Sequence, residues 1–209
     1  MIEIALSAFI TLFIVLDPPG MAPIFAALTE NETDSARRRL ALRGTVIAGL
    51  ILIAFAFVGE WFLHMLGITI EAFRIAGGLL LFMVAVDMLF AHESPLRRTT
   101  PTEQEEAIQR QDISVFPLAI PLIAGPGAMT TVVLLMQQTA GDVTAQAMTI
   151  AILAVVLGLV LISLLAAVKL VRMIGVTGTN VITRVLGLIL GALAVQYVVD
   201  GVLAFLGTN

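Results

Sequence analysis

One carboxylate stands where an apolar chain has little use for it. Asp17 lies roughly 20 Å of helix into the first long apolar run, counted from Ile4. An ionisable group at that depth is costly and by default functional. It opens the motif Asp17-Pro18-Pro19-Gly20, with Pro23 one turn later. A run in the second half is interrupted by Gly125-Pro126-Gly127, after Pro117 and Pro121. Proline removes a backbone donor and clashes with the preceding turn, and glycine loosens a helix, so both runs are expected to break near their middles. Freed backbone groups are tolerated inside a membrane only against protein or a water-lined cavity.

Such breaks have a chemistry. The half-helices beginning near Met21 and Ala128 each aim a positive dipole end and free N–H groups at the break, which suits a carboxylate. The half-helices before them end in free carbonyls, which suit an ammonium group or a cation. Together they match a small zwitterion. The expected binding residues are therefore Asp17, Pro18, Pro19, Gly20 and Met21 with Gly125, Pro126, Gly127 and Ala128, and Thr130 and Thr131 offer hydroxyls. A plainer account stays open beside this one. Asp17 is a favoured N-cap for the following half-helix, the threonines can bond back to their own helix carbonyls, and two kinks can serve packing alone.

The remaining polar residues point elsewhere. Asp87 and Asp200 fall near span ends, where interfacial water solvates them, and Arg74 and Arg184 sit in first turns, where they are expected to snorkel to headgroups, with an inter-helix ion pair as the alternative. Gly77-Gly78 and the pair Gly187 and Gly191 are expected to permit close helix packing. The chain has no cysteine, and its two histidines, His64 and His92, are too few for a His-rich metal site. No Gly-x-Ser-x-Gly or His-Glu-x-x-His occurs, no basic patch suits nucleic acid, and we expect neither enzyme activity, cofactor nor metal.

The elements that must position these residues follow from composition. Of 209 residues 59% are hydrophobic and 12% charged, against about 25% charged in a soluble domain, so the natural solvent is lipid. Six apolar runs are long enough to span: Ile4 to Leu28, Leu40 to Leu63, Glu71 to Ala91, Ile113 to Gln138, Gln146 to Val171 and Val181 to Leu206. The fold class expected is an all-α membrane protein of six transmembrane helices. Residues 92–112, with Arg97, Arg98, Glu103, Glu105, Glu106 and two prolines, read as a cytoplasmic linker between three-helix halves at 1–91 and 113–209. All Lys and Arg residues except Arg74 fall on one side if the N-terminus is outside, so the positive-inside rule places both termini outside the cytoplasm, in a prokaryotic inner membrane.

The halves also echo each other. Pro19-Gly20 recurs as Pro126-Gly127, and Arg74-Ile75-Ala76-Gly77 as Arg184-Val185-Leu186-Gly187, at nearly the same offset. Three spans per half is an odd number, so the second half enters from the opposite side. This is the inverted repeat of many secondary transporters, with spans one and four broken near the midplane.

At these motifs the sequence resembles the MarC family of integral membrane proteins, grouped with the LysE-like transporters. The matching elements are Leu16-Asp17-Pro18-Pro19-Gly20-Met21-Ala22-Pro23, Phe73-Arg74-Ile75-Ala76-Gly77-Gly78, and the stretch from Phe116-Pro117-Leu118 through Ile120-Pro121 to Gly125-Pro126-Gly127-Ala128. The resemblance runs over essentially the whole chain, and Pro19 falls where the family pattern is variable. It implies a transporter of small neutral amino acids such as glycine and alanine, with a proton or sodium as candidate coupling ion. Export of other small or hydrophobic compounds is the runner-up, and a non-transporting structural membrane protein the third reading.

Overall fold

The computed structural model describes residues 2–90 and 113–207, and every regular element among them is helical. Helix α1 (Ile2–Leu16) is separated from α2 (Pro18–Leu28) by Asp17 alone, and α3 (Asp34–Met65) and α4 (Ile70–Phe90) follow. After the gap come an irregular segment, Ser114–Ile123, and then α5 (Pro126–Gln138), α6 (Val143–Leu165) and α7 (Ala167–Phe205). The linker expected at 92–112 lies outside the described residues.

Local chemistry sets the boundaries. Thr33 accepts from Ala36 N at 3.3 Å to start α3, and Asp142 accepts from Thr144 N and Ala145 N at 2.9 and 3.0 Å to start α6. Both are N-cap bonds to otherwise orphaned donors. In Ser114–Ile123 the two prolines follow cis peptide bonds, and Phe116 and Ile120 before them are extended. Backbone bonds there reach across five residues, from Leu118 N to Ile113 O at 3.3 Å and from Ala124 N to Ala119 O at 2.8 Å. Proline offers no N–H and pushes its predecessor out of the helical region, so a regular ladder cannot form.

Taking α1 with α2 as one stretch, five helices among the described residues are long and apolar enough to cross a membrane. The pair Ser114–Ile123 and Pro126–Gln138, bent by 57°, makes six if it crosses as one. Leu50, Phe57, Leu188 and Phe205 are each more than 60% exposed, an outward apolar surface that suits acyl chains. The core lies between helices, where Leu12, Phe25, Leu52, Leu118, Leu134, Leu153 and Leu190 are fully buried.

Helix α4 packs most extensively against α7, and glycines allow it. A Cβ on Gly78 would fall 2.8 Å from Ala194 O, one on Gly187 3.2 Å from Ala85 O, and one on Gly201 3.1 Å from Glu71 O. These pairings run in opposite order along the two helices, which are therefore antiparallel. Gly191 has ordinary space and Gly201, not singled out from sequence, is the tighter position. Along α3, Gly44 faces Leu118 and Gly59 faces Val133, so α3 runs parallel to the irregular segment and α5. Helices α1 and α2 pack on α6, α2 also on α7, and α4 also on α5.

The structure corrects the fifth and sixth runs. Helix α6 stops at Leu165, a single residue turns the chain, and α7 is already under way at Ala167, with a kink at Gly175 (φ 74°, ψ 164°). Residues 172–180, expected as the connection, are helical apart from the kink, and Lys169, expected inside the fifth run, lies with Arg172 on the short helix between Ala166 and Gly175. Hydropathy is continuous across Leu165 and so hides the turn, whereas Gly175 adopts a φ that favours glycine.

Candidate functional site

Asp17 has no exposed surface and sits in the left-handed region, φ 45° and ψ 61°. Its Oδ1 accepts from Gly20 N at 3.1 Å, its N–H donates to Phe13 O at 3.0 Å, and its carbonyl accepts from Met21 N at 3.1 Å. The residue thus ends α1 and caps α2, with Pro18 and Pro19 occupying the first turn, where a missing N–H costs nothing. Gly20 is glycine because any Cβ there would overlap the Asp17 carboxyl group. Pro23 offers no N–H to the carbonyl four residues earlier, at Pro19. The Ser163 hydroxyl of α6 donates to Pro18 O. Asp17, Pro18, Gly20 and Met21 are buried and Pro19 is half-buried.

The second interruption is built differently. Gly125 precedes α5 with no side-chain cap, Pro126 takes the first turn, and Met129 N donates to Gly125 O at 3.0 Å. A Cβ on Gly125 would lie 2.6 Å from Pro121 O, so the fold requires glycine here too. Thr131 donates to Gly127 O at 2.8 Å, the back-bonded arrangement, and the methyl of buried Thr130 faces Gly77. A cavity of about 30 Å³ opens on Gly125, Pro126, Gly127 and Ala128, with Val15 of α1 and Leu81 of α4 opposite. That is room for about one or two waters and not for a solute. Asp17 does not line it. In this conformation α1 reaches the second break through Val15, while α2 packs toward α6 and α7 and contributes no residue to the lining of this cavity.

A polar cluster that the sequence reading did not assemble lies between four helices. Arg74 of α4 was expected to snorkel outward, yet it is half-buried, and its Nη2 donates to Gln137 Oε1 of α5 at 3.3 Å. Its Nε is buried and meets no acceptor among the described residues. Tyr197 of α7 is buried, shares a hydrogen bond with Thr11 of α1, and lies within electrostatic reach of Arg74 and Asp200. Asp200 in turn accepts from Gln196 at 2.7 Å. Thr11 is roughly 9 Å of helix from Asp17, so the cluster and the first break share one helix. No spacing rule links position 74 with position 137, and only α4 packing on α5 joins them. Arg184, by contrast, is exposed, as the snorkelling account requires.

A model of the MarC family of integral membrane proteins matches residues 2–206. A UPF0056 membrane protein of Archaeoglobus fulgidus is 40% identical over 195 residues, covering 93% of this chain and 90% of its own. The UPF0056 membrane protein YvbG of Bacillus subtilis is 37% identical over 201 residues, covering 96% and 95%. YhcE of Escherichia coli, likewise a UPF0056 membrane protein, is 34% identical over 197 residues, covering 93% and 89%. No solved structure gives a significant match.

Proposed function

The chain belongs to the MarC family of integral membrane proteins, and from that premise we propose that it is a secondary transporter of small neutral amino acids, glycine or alanine in kind. The observation that carries this reading is Asp17, a fully buried acid at an interruption whose counterpart in the second half is Gly125-Pro126-Gly127. A cap alone could be served by an uncharged asparagine or serine, so burying a carboxylate there favours a role for the charge. The pattern of packing supports two inverted halves. Exchanging the first stretch with the second carries α1 and α2 on α6 into the segment and α5 on α3, α2 on α7 into α5 on α4, and the antiparallel α4 and α7 into each other. Inverted repeats alternate access by rocking one half on the other around a fixed site. The water-sized cavity fits a conformation closed to solute.

Orientation follows from the basic residues, with both termini outside an inner membrane and the start of α4 on the outer side. Arg74 then stands on the path from outside toward Asp17, a cation for the solute carboxylate, while the Asp17 carboxylate serves the ammonium group or a coupling proton or sodium. We read the chain as a transporter and not an enzyme because its sequence has no Gly-x-Ser-x-Gly, no His-Glu-x-x-His and no cysteine.

Two measurements test the proposal. A reporter active only outside the cytoplasm, fused after Asn209, should be active, and activity of a cytoplasm-only reporter there would overturn the orientation. Glycine and alanine should raise the melting temperature of the purified protein and exchange in counterflow, since ligands selective for the native state stabilise it. Stabilisation by hydrophobic compounds with none by any amino acid would transfer the reading to export of such compounds.

A further inference from the structure

At the end of the bundle where α3 begins and α6 meets α7, an open cavity of about 880 Å³ is lined by Asp34, Arg37 and Arg38 on one wall. Leu165, Val168, Lys169, Arg172 and Met173 form the other. It is remote from both helix interruptions in sequence and shares no lining residue with the smaller cavity. Four cations and one acid surround the space. The acid is already engaged, since Asp34 holds the Arg37 guanidinium at 3.1 Å. Arg37 is pinned further by Thr29 O at 2.9 Å and Thr29 Oγ1 at 3.1 Å, so it is a fixed charge and not a waving side chain. Arg38, Lys169 and Arg172 are exposed and have no ion pair among the described residues. Like charges gathered around one open space repel, and an anion among them relieves that repulsion.

The apolar residues decide what kind of anion. Leu165 is 45% exposed and Met173 74%, and Val168 is also exposed beside the cations. A free phosphate needs the charges only, whereas an amphiphile needs charges with an apolar flank reaching into the bilayer. The short helix between the turn at Ala166 and the kink at Gly175 supplies both on one element, and it anchors through buried Ala167. We propose that this groove seats the phosphate headgroup of an anionic phospholipid whose acyl chains run along Leu165, Val168 and Met173. The lipid ties α3 of the first half to the start of α7 in the second. Basic pockets between helix ends on the positive side of a membrane protein are suited to such headgroups, and guanidinium groups form short, charge-assisted bonds to phosphate oxygens. The inference is independent of which solute the protein moves.

The test uses the purified full-length chain in bilayer discs of phosphatidylcholine with increasing phosphatidylglycerol or cardiolipin. Melting temperature and retained lipid by native mass spectrometry are the readouts. The parent should gain several degrees and retain the anionic lipid. The variant carrying Arg38→Gln with Arg172→Gln should melt with the parent in phosphatidylcholine alone, because both side chains are exposed. It should then need about tenfold more anionic lipid for the same gain. A control with Arg39→Gln and Arg184→Gln, exposed basic residues outside the groove, should respond as the parent does. Equal loss in the two double variants would reduce the effect to general surface charge and overturn the site. Full stabilisation by inorganic phosphate or glycerol phosphate would make it a free-anion site and overturn the lipid.

Discussion

Replacing Asp17 with asparagine is expected to cut the initial rate of amino acid transport by at least about tenfold, equivalent to about 1.4 kcal/mol, while the protein still inserts and melts close to the parent. The geometry separates the two roles of this side chain. As a cap, Asp17 needs an oxygen within reach of Gly20 N and a residue that tolerates φ 45°. Asparagine meets both needs, being a good N-cap and one of the few residues that visits the left-handed region. As a ligand for an ammonium group or as a carrier of a coupling ion, the side chain needs its negative charge, which the amide lacks. Asp17→Ala should lose the cap, about 1 kcal/mol, and add backbone strain of about 1 to 3 kcal/mol from forcing a non-glycine, non-polar residue into that conformation. Asp17→Gly should be intermediate in stability, since it loses the cap without the strain. Gly20→Ala offers an independent check, because the added methyl displaces the Asp17 carboxyl group without removing it. Initial flux in proteoliposomes and melting temperature decide the matter. If Asp17→Asn transports at the parental rate, the residue is a cap alone and the solute site lies around Gly125 to Thr131.

What sequence reading captures here is what short-range chemistry dictates. Six apolar runs correspond to five helices long and apolar enough to span and one bent pair among the described residues, because a membrane leaves the backbone few alternatives. The interruption at Asp17 is legible since Asp, Pro, Pro and Gly each have a fixed local role in a cap and first turn. The tight approach of α4 to α7 shows in Gly78 and Gly187, while Gly77 meets Thr130 of α5. Gly201 escapes notice because it has no second glycine beside it or one turn away, as Gly78 and Gly187 have. The turn at Ala166 is invisible to hydropathy, which stays high on both sides of it. Pro117 and Pro121 announce irregular backbone, but which carbonyls their neighbours then find depends on the whole fold. Thr131 illustrates a similar limit, since its hydroxyl could face a ligand or its own helix, and the structure returns it to Gly127 O.

Arg74 is the residue whose meaning changes most between sequence and structure, and replacing it is expected to move stability and transport in opposite directions. A guanidinium at the start of a spanning helix normally reaches the headgroups, where its loss matters little. Here it turns inward to Gln137, within electrostatic reach of Tyr197, in a first turn where the helix dipole opposes a cation, with its Nε buried and unmatched among the described residues. Holding a charge in that setting costs desolvation that an unmatched Nε does not recover, and an apolar side chain of similar volume removes that cost. Arg74→Met should therefore melt at or above the parental temperature in the absence of amino acids. The same variant should lose the carboxylate partner on the path to Asp17, with transport down at least about tenfold, or about 1.4 kcal/mol. Arg74→Lys should recover part of the rate, because it restores the charge without the planar fork. The thermal shift produced by glycine should shrink in the order Arg, Lys, Met. A structural strut would behave otherwise, with Arg74→Met melting well below the parent and losing transport only in proportion to lost folded protein. Parental transport by Arg74→Met would remove the residue from the solute path altogether, and the inward guanidinium would then count as a packing feature of α4 against α5.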